Sequence, residues 1–346
     1  MPDTPATNHP IPPRQTARTR ASDALLEPLQ AHIRQLDAFL LAQVNEFEPA
    51  VRHLVTYTLT HHGKRLRPAL VFYAGWTDNS PPQPELVRAA AIVELVHLAT
   101  LIHDDILDNA GLRHNTPTLA TRHGPHTAVL LGDALFAHAL TLAASYPTTD
   151  ICHHVATTTR QVCSGEIHQN AESGNTRLTL GQYYRIIRLK TAELFELSCR
   201  LGAHLATNDP AYTDACARHG RHLGTAYQIL DDITDFAGNE TGTGKTLGTD
   251  LANGKYTLPV LLHLGQLPAS DATALGNALA QGTMTPAQLA QRLSTAGIPA
   301  QCQRIFHEEI THAQNALAPY AATPAAAHLH SLTLYLHEQL HRLDFA

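Results

Sequence analysis

The 346-residue sequence has no excess of basic residues and no paired cysteines. It carries 24 Lys and Arg against 30 Asp and Glu, a net charge of -6 with histidine neutral, which argues against a nucleic-acid-binding protein. The five cysteines include no CxxC pair and are odd in number, so neither a disulfide framework nor a zinc site is expected. This cysteine usage predicts a protein of the reducing cytoplasm.

The sequence also lacks a secretory signal and a continuous apolar run of the roughly 20 residues that cross a bilayer. Its N-terminal segment is rich in proline and threonine and has no apolar stretch behind its basic residues, so residues 1–21 are predicted to form a disordered tail. Even the apolar stretch from Val129 to Ala144 contains Asp133 and His138. We therefore expect no transmembrane segment.

Alternation of apolar and polar residues with period two does not persist anywhere, which argues against a sheet. Apolar residues instead recur at helical spacing, and the stretch from Pro84 to Ile106 is apolar on nearly every side, as is typical of a helix buried in a bundle. The breakers between helices are too short to be interdomain linkers. The prediction is an all-α fold with one domain over residues 22–346; the alternative is a separate helical cap formed by the Ala-rich C-terminal third.

The segment Leu101–Asp108 reads LIHDDILD and ends this apolar helix with three carboxylates. Asp104 and Asp108 stand four residues apart and share a helix face, with Asp105 beside them. Clustered carboxylates repel each other and need positive charge, which Arg113 or a magnesium ion would supply. Taken alone, an exposed acidic helix end explains the pattern equally well.

The same spacing recurs in Tyr227–Phe236, which reads YQILDDITDF and carries Asp231, Asp232 and Asp235. Two copies of one acidic pattern, each on an apolar helix, favour a site over two exposed helix ends. Two carboxylate walls that face each other would hold magnesium ions on a diphosphate between them and activate it as a leaving group.

A glycine-rich segment, Gly238–Lys255, follows the second cluster and carries Lys245 and Lys255. Such a loop can close over phosphate, and an ordinary surface loop is the alternative. Its GTGKT resembles a Walker A loop, but the GxxxxGK[ST] pattern needs a glycine where the sequence has Asn239, and no strand precedes the loop. The P-loop interpretation is therefore disfavoured.

Two basic segments are candidates for binding a diphosphate. His62–Pro68 reads HGKRLRP, in which Lys64, Arg65 and Arg67 form a compact group. Lys190 lies among apolar residues of a later helix, where it either extends to the surface or points into a cavity. Spacing alone decides neither case.

Taken in order, these segments resemble the trans-prenyl diphosphate synthases, also called polyprenyl synthetases. The matching segments lie between about Gly63 and Pro259: GKRLRP, ELVHLATLIHDDILDNAGLR, GDALFAHAL, SGEIHQ, KTAELFELS, YQILDDITDF and GKTLGTDLANGKYTLP. The resemblance implies an isoprenoid-synthase helical bundle around a central cavity, usually a homodimer. It also implies that an allylic diphosphate ionises with the help of magnesium, and that isopentenyl diphosphate attacks the carbocation with loss of a proton.

The resemblance assigns residues by matching position. It implies a catalytic, magnesium-binding set of Asp104, Asp105, Asp108, Asp231, Asp232 and Asp235. It implies an isopentenyl diphosphate site of Lys64, Arg67 and His97. Lys190 is assigned to catalysis as well as to the allylic site, whose other members are Arg113, Thr191, Gln228, Lys245 and Lys255.

One position departs from the family pattern. After the first acidic cluster the family usually has two arginines, whereas this sequence has Arg113 followed by His114. His114 takes the place of an arginine that usually contacts isopentenyl diphosphate, and histidine makes no bidentate contact and is often neutral. Lys64 and Arg67 remain for that substrate.

The product is expected to be longer than farnesyl. Short-chain members of the family often have an aromatic residue four or five positions before the first acidic cluster, where this sequence has Thr100 and Ala99, with Val96 one turn further back. We expect the chain to stop deeper, against Phe136 or neighbouring helices, which gives geranylgeranyl or longer products. On this interpretation, Ala99→Phe shortens the product.

Two alternatives of other classes remain. A terpene cyclase of the same fold keeps aspartate-rich metal sites but needs no isopentenyl diphosphate site, and Lys64, Arg67 and His97 argue against it, whereas His114 leaves it open. A non-catalytic subunit of a heteromeric synthase tends to lose its acidic clusters, and this sequence keeps both.

Overall fold

The structure is a computed structural model that describes residues 25–61, 63–77, 81–113, 116–207, 209–237 and 248–343. The tail predicted for residues 1–21 lies outside these ranges, as do His114 and Lys245. Within them the chain runs from helix to helix, which confirms the predicted all-α class.

The helices divide into an N-terminal group that ends before residue 207 and a C-terminal group. The N-terminal group consists of α1 (Gln30–Gln43), α2 (Arg52–Thr60), α3 (Leu66–Ala74), α4 (Pro84–Leu107), α5 (Leu119–His123), α6 (Pro125–Ala144), α7 (Asp150–Ala171), α8 (Leu180–Ile187) and α9 (Glu193–Ala206). The C-terminal group consists of α10 (Pro210–Ala237), α11 (Thr249–Ala252), α12 (Leu258–Gln266), α13 (Ala269–Ala280), α14 (Pro286–Thr295), α15 (Ile298–Ala316) and α16 (Pro324–His341).

Two kinds of short element accompany the helices. Single 3₁₀ turns cover Glu27–Leu29, Val44–Glu46 and Ala318–Tyr320. Just after α4, β1 (Leu112–Arg113) pairs antiparallel with β2 (Thr116–Pro117), with Arg113 opposite Thr116. Within the described ranges this two-stranded ribbon is the one β-sheet. It returns Arg113 toward the end of α4.

Helix α4 lies in the centre of the bundle. It begins at Pro84, which suits the first turn because proline has no amide hydrogen to leave unpaired there. Ala89, Ile92 and Val93 are fully buried, and the helix packs on α6 as well as on α1, α3 and α9. The burial expected from its apolar sequence is therefore confirmed, and its C-terminal turn carries the first acidic cluster, of which Asp105 is buried.

Helix α9 connects the two acid-bearing helices, because it packs against α4 on one side and along α10 on another. The C-terminal helices are joined to the same bundle: α15 packs along α10, and α16 packs on α3. The positions of the two acidic clusters relative to each other are thus set by a shared packing partner.

Helices α3 and α9 cross closely at Gly202. A Cβ atom at this position would lie 2.1 Å from the carbonyl oxygen of Val71, well inside van der Waals contact. Because that atom belongs to a packed backbone, we expect Gly202→Ala to lower the free energy of unfolding by about 1–3 kcal/mol or more, measured by urea denaturation.

A matched control for that substitution is available in α12. A Cβ atom at Gly265 would meet nothing within 4 Å, so Gly265→Ala should leave the free energy of unfolding unchanged or raise it by up to about 1 kcal/mol through helix propensity. Equal losses in the two variants would contradict a specific close crossing at Gly202.

Two helices, α4 and α6, are long and apolar enough to cross a membrane, although the sequence was expected to contain none of this kind. The apolar character of α4 is explained by the core, since 72% of its most apolar window is buried. Only 33% of the corresponding window of α6 is buried. Helix α6 therefore presents an apolar face that the described chain does not cover.

Candidate active site

A cavity of about 540 Å³ lies among α3, α4, α6, α7, α10 and α16, a volume typical of small-molecule sites. One face of α4 lines it, because His97, Thr100, Asp104 and Leu107 follow one another at helical spacing. The cavity predicted at the centre of the bundle is present, and residues of both acidic clusters reach it.

One carboxylate of the first acidic cluster lines the cavity, and the other two pair with cationic side chains. Asp104 lines the cavity. Asp105 is buried, and its Oδ1 accepts hydrogen bonds from Nε and Nη2 of Arg113 at 2.8 and 2.7 Å. Asp108 accepts a hydrogen bond from Nζ of Lys255 at 2.6 Å. Two of the three carboxylates therefore anchor cationic side chains at the end of α4, beside the one that faces the cavity.

The environment of Asp104 is electrostatically unfavourable for a carboxylate. Burial is the largest of the causes that raise the pKa of Asp104 to about 6. The negative charges of Glu166 and Asp108 act in the same direction, and the ammonium of Lys190 opposes them. An additional cation in the cavity would favour the ionised form of Asp104.

The second acidic cluster divides in the same way. Asp231 lines the cavity from α10. Asp232 is buried, and its two oxygens accept hydrogen bonds from the Tyr183 hydroxyl at 2.6 Å and from Nε2 of Gln228 at 2.8 Å. Burial, followed by the nearby charge of Asp250, raises the pKa of Asp232 to about 8. Asp232 is therefore a buried anchor of α10 in the structure.

The structure brings together fewer carboxylates than the predicted set of six. Among the described residues, no three His, Cys, Asp or Glu side chains form a group that could hold a metal ion. Asp235 accepts a hydrogen bond from the backbone amide of Asp250 at 3.3 Å and does not line the cavity. Magnesium is usually held by one or two carboxylates together with waters and substrate phosphates. Asp104 and Asp231 are the two carboxylates of the predicted set that line the cavity, so the protein alone would leave most positions around such an ion to other ligands.

The part of the cavity at the level of His97, about 10 Å along the axis of α4 from Asp104, carries basic side chains. Lys64, Arg67 and His97 all line it. Nη1 of Arg67 lies 2.9 Å from Nε2 of His97. Burial and then the charge of Arg67 lower the pKa of His97 well below its usual range, so the neutral ring accepts this hydrogen bond. The guanidinium of Arg67 also lies over the ring of Phe195, 5.0 Å from its centroid, so two contacts fix its orientation.

Arg65 has a different role from its neighbours, although the sequence placed it in the same basic group. Its guanidinium forms ion pairs with Glu94 at 2.6 Å and with Asp37 at 3.0 Å, and the residue is 5% exposed. Arg65 adopts a left-handed conformation, with φ of 53°, immediately before α3. This turn, held by the buried ion pair with Glu94 and the partly exposed one with Asp37, separates Lys64 from Arg67 at the start of α3.

Lys190 points into the cavity, which resolves the alternative that the sequence left open. It lies in a π-helical turn, Arg188–Ala192, between α8 and α9. Such turns insert a residue into a helix and often occur at functional sites. Nζ of Lys190 contacts Glu166 at 2.6 Å and Gln169 at 2.7 Å. Burial alone would lower the pKa of Lys190, but Asp104 and Glu166 outweigh it and the pKa is raised, so the ammonium keeps its charge.

The close contact of α7 with this turn requires a glycine. A Cβ atom at Gly165 would lie 2.7 Å from the backbone nitrogen of Lys190. The glycine of SGEIHQ therefore lets α7 approach the π turn, and the next residue of α7, Glu166, reaches the lysine.

The remaining allylic candidates form a hydrogen-bonded chain. The Thr191 hydroxyl donates to Oε1 of Gln228 at 2.8 Å, and Gln228 in turn donates to Asp232. Thr191 and Gln228 both line the cavity. Lys255 is the last residue of the glycine-rich segment, and its ammonium contacts Asp108 at the end of α4.

Several residues at the site were not assigned from the sequence. Glu166 and Gln169 belong to SGEIHQ, a segment that matched the family but was given no role. Their spacing of three residues places both on one helix face, which was the sequence evidence that they could act together. Tyr183 holds Asp232, and Tyr335 and Gln339 of α16 line the cavity. No sequence pattern links these three to the acidic clusters, because their proximity arises only from packing.

The residues that border the cavity near the first acidic cluster are relevant to product length. Thr100 and Phe136 line it, whereas Ala99 and Val96 are buried and do not. The ring of His103 lies 5.7 Å from that of Phe136, and its Nε2 lies 3.1 Å from the backbone oxygen of Val129. The small residue that borders the cavity is therefore Thr100 rather than Ala99.

Comparison with known proteins agrees with this geometry. The profile of the polyprenyl synthetase family matches residues 48–295. An octaprenyl diphosphate synthase of Haemophilus influenzae is 32% identical over 250 residues, which cover 72% of this chain and 76% of the relative. An all-trans-nonaprenyl-diphosphate synthase of Rhodobacter capsulatus is 30% identical over 294 residues, covering 85% and 90%.

Solved structures show the same fold. A decaprenyl diphosphate synthase from Rhodobacter capsulatus superposes with a TM-score of 0.83 at 26% identity, over 92% of this chain and 99% of that one. A polyprenyl synthase from Caulobacter crescentus, complexed with calcium and isoprenyl diphosphate, superposes with a TM-score of 0.80 at 28% identity, over 91% and 97%. With its helical bundle, its cavity and the match over most of its length, the chain belongs to the polyprenyl synthetase family of prenyltransferases.

Proposed function

We propose that this enzyme condenses isopentenyl diphosphate head to tail with an allylic prenyl diphosphate and releases trans-polyprenyl diphosphates. The observation that carries the proposal is that one cavity has two chemically different ends. Asp104 and Asp231 contribute carboxylates, here called its acidic end, and Lys64, Arg67 and His97 contribute the basic end; His97 and Asp104 are about 10 Å apart along the axis of α4. Two diphosphates can therefore bind in one cavity by different means, one through a metal ion and one through basic side chains.

At the acidic end, Asp104 and Asp231 would hold Mg²⁺, which supplies positive charge to the departing diphosphate. Lys190 adds a fixed ammonium beside Asp104, held in place by Glu166 and Gln169. Because these contacts precede substrate binding, the charge needs little reorganisation when the allylic diphosphate leaves.

At the basic end, Arg67 and Lys64 bind the diphosphate of isopentenyl diphosphate. His97 and Phe195 fix the guanidinium of Arg67 from two directions. The cavity wall also includes the apolar side chains of Leu101, Phe136 and Val162, which would exclude water from a carbocation.

The proposal is tested by incubating the purified chain with isopentenyl diphosphate, Mg²⁺ and each allylic primer in turn, and identifying products by mass spectrometry. We expect linear diphosphates that grow by whole isoprene units, no product when a chelator is present, and recovery on adding Mg²⁺. A cyclic hydrocarbon made from the allylic substrate alone would favour the terpene cyclase, which Lys64, Arg67 and His97 argue against. No turnover with any primer would contradict the proposal.

The named relatives include a heptaprenyl diphosphate synthase component 2 from Geobacillus stearothermophilus, 35% identical over 240 residues. Because that relative is named as one component of a synthase, assembly with a different subunit is the second candidate for this chain. We favour a catalytic homodimer, because both acidic clusters are present and because α6 and α7 expose large apolar side chains. Leu130 and Ile167 are each 69% exposed, and Val129 is 42% exposed.

Leu130→Glu should weaken self-association by at least about tenfold, because it places a charge on the exposed apolar face of α6. Sedimentation velocity over a range of concentrations measures the change. Leu41→Glu is the control, since Leu41 is 49% exposed on α1, outside that face, and should leave association unchanged. A wild-type chain that stays monomeric at micromolar concentration, or that condenses substrates only with a second subunit, would contradict the homodimer.

We further propose that residues 22–346 act as one polyprenyl synthetase domain in the cytoplasm. The packing of α15 on α10 and of α16 on α3 supports one domain over a separate C-terminal cap. All five cysteines are free, which suits a reducing compartment. Product length beyond farnesyl is supported by the small residue at Thr100, which leaves the cavity open beside α4.

A further inference from the structure

The C-terminal helix α16 forms part of the wall at the basic end of the cavity. Tyr335 and Gln339 stand four residues apart, so they share one face of the helix, and both line the cavity together with Lys64 and Arg67. No motif of the sequence pointed to either residue. Their position beside the basic group raises the question of what a hydroxyl and an amide do there.

Tyr335 is in direct contact with Lys64. The ammonium Nζ lies 3.0 Å from the phenol oxygen and 5.7 Å from the centroid of the ring. An ammonium only donates hydrogen bonds, so the phenol oxygen is the acceptor in this pair. Tyr335 is 7% exposed, so packing holds its ring in place and its hydroxyl fixes the position of the Lys64 ammonium.

Gln339 presents a donor to the same space. Its Nε2 atom is buried and has no hydrogen-bond partner among the described residues, whereas buried polar groups in proteins are nearly always paired. Because Gln339 lines the cavity, an acceptor bound there would pair with this amide. Phosphate oxygens are strong acceptors, and an uncharged donor binds them without adding to the repulsion among Lys64, Arg67 and Arg65.

We propose that α16 completes the isopentenyl diphosphate site: Gln339 donates a hydrogen bond to the diphosphate, and Tyr335 positions Lys64 against it. This inference rests on the proposed function. The diphosphate concerned is the one at Lys64 and Arg67, because the allylic diphosphate belongs with Asp104 and Asp231.

The test compares Tyr335→Phe and Gln339→Met with wild type in steady-state kinetics of the full chain. Each variant keeps the size of the side chain and removes one polar group. We expect the KM for isopentenyl diphosphate to rise about tenfold or more in each, as for a lost hydrogen bond to a charged group, while the KM for the allylic primer and kcat change less than about twofold. Glu338→Gln is the matched control, since Glu338 is an exposed neighbour on α16 that pairs with Arg342.

Calorimetric titration with isopentenyl diphosphate, without a primer and therefore without turnover, measures the same site independently of catalysis. A weaker Kd in both variants, with a Tm for Gln339→Met at or above that of wild type, supports the proposal. A Kd equal to that of wild type overturns it, as does an equal rise of both KM values, which would indicate a general role of α16 in closing the cavity. If wild type binds isopentenyl diphosphate but condenses nothing, the proposed function fails while the titration still decides the role of α16.

Discussion

Replacement of Asp104 or Asp231 by asparagine is expected to lower the rate of condensation by about 10³-fold or more. Each substitution removes a negative charge that lines the cavity, and with it a proposed ligand for a magnesium ion on the allylic diphosphate. A loss of several kcal/mol of transition-state stabilisation corresponds to this factor at roughly 1.4 kcal/mol per tenfold. The measurement is incorporation of labelled isopentenyl diphosphate at saturating substrate and magnesium.

Stability separates this expectation from simple unfolding. Removal of one of several crowded carboxylates relieves repulsion, so the Tm of Asp104→Asn should equal or exceed that of wild type. Asp133→Asn is the control, because Asp133 is an exposed acid of α6 with 61% of its side chain accessible. If Asp104→Asn and Asp231→Asn kept wild-type rates, the acidic end of the cavity would not be the site of the allylic diphosphate.

Thr100→Phe is expected to shift the main product to farnesyl diphosphate or shorter. Thr100 lines the cavity four residues before Asp104, so an aromatic ring there blocks the path of the growing chain along α4. Phe136→Ala should have the opposite effect and lengthen the products, because the ring of Phe136 borders the cavity beside His103. Mass spectrometry of the products with one primer and excess isopentenyl diphosphate measures both shifts.

The sequence predicted the same effect for Ala99→Phe, and the structure changes that expectation. Ala99 is fully buried in the core, so a ring at this position overpacks α4 and should lower stability rather than shorten the product. If Ala99→Phe folded and gave short products while Thr100→Phe left product length unchanged, Ala99 rather than Thr100 would limit product length.

Much of this site follows from patterns that are local in the chain. The spacing of Asp104 and Asp108 placed both on one face of a helix, and the apolar sequence before them predicted a helix buried in the bundle. The repeat at Asp231 then suggested a second wall. These repeated patterns indicated a site for one diphosphate, and the resemblance to a known family added the second substrate.

Other features depend on contacts between distant segments, which no local pattern encodes. Arg65 could not be separated from Lys64 by sequence, because its partners Asp37 and Glu94 lie 28 and 29 residues away. Tyr335 meets Lys64 across 271 residues. The side-chain directions within DDxxD also needed the structure, since Asp232 is drawn to Tyr183 while its neighbour Asp231 lines the cavity.

The most direct test of two diphosphate sites in one cavity is a crystal structure of the full chain with Mg²⁺, isopentenyl diphosphate and a thiodiphosphate analogue of the allylic substrate. We expect metal ions between Asp104 and Asp231 on the allylic analogue, and the second diphosphate at Lys64 and Arg67. Metal ions away from these carboxylates, or an isopentenyl diphosphate bound anywhere other than the basic end, would contradict this expectation.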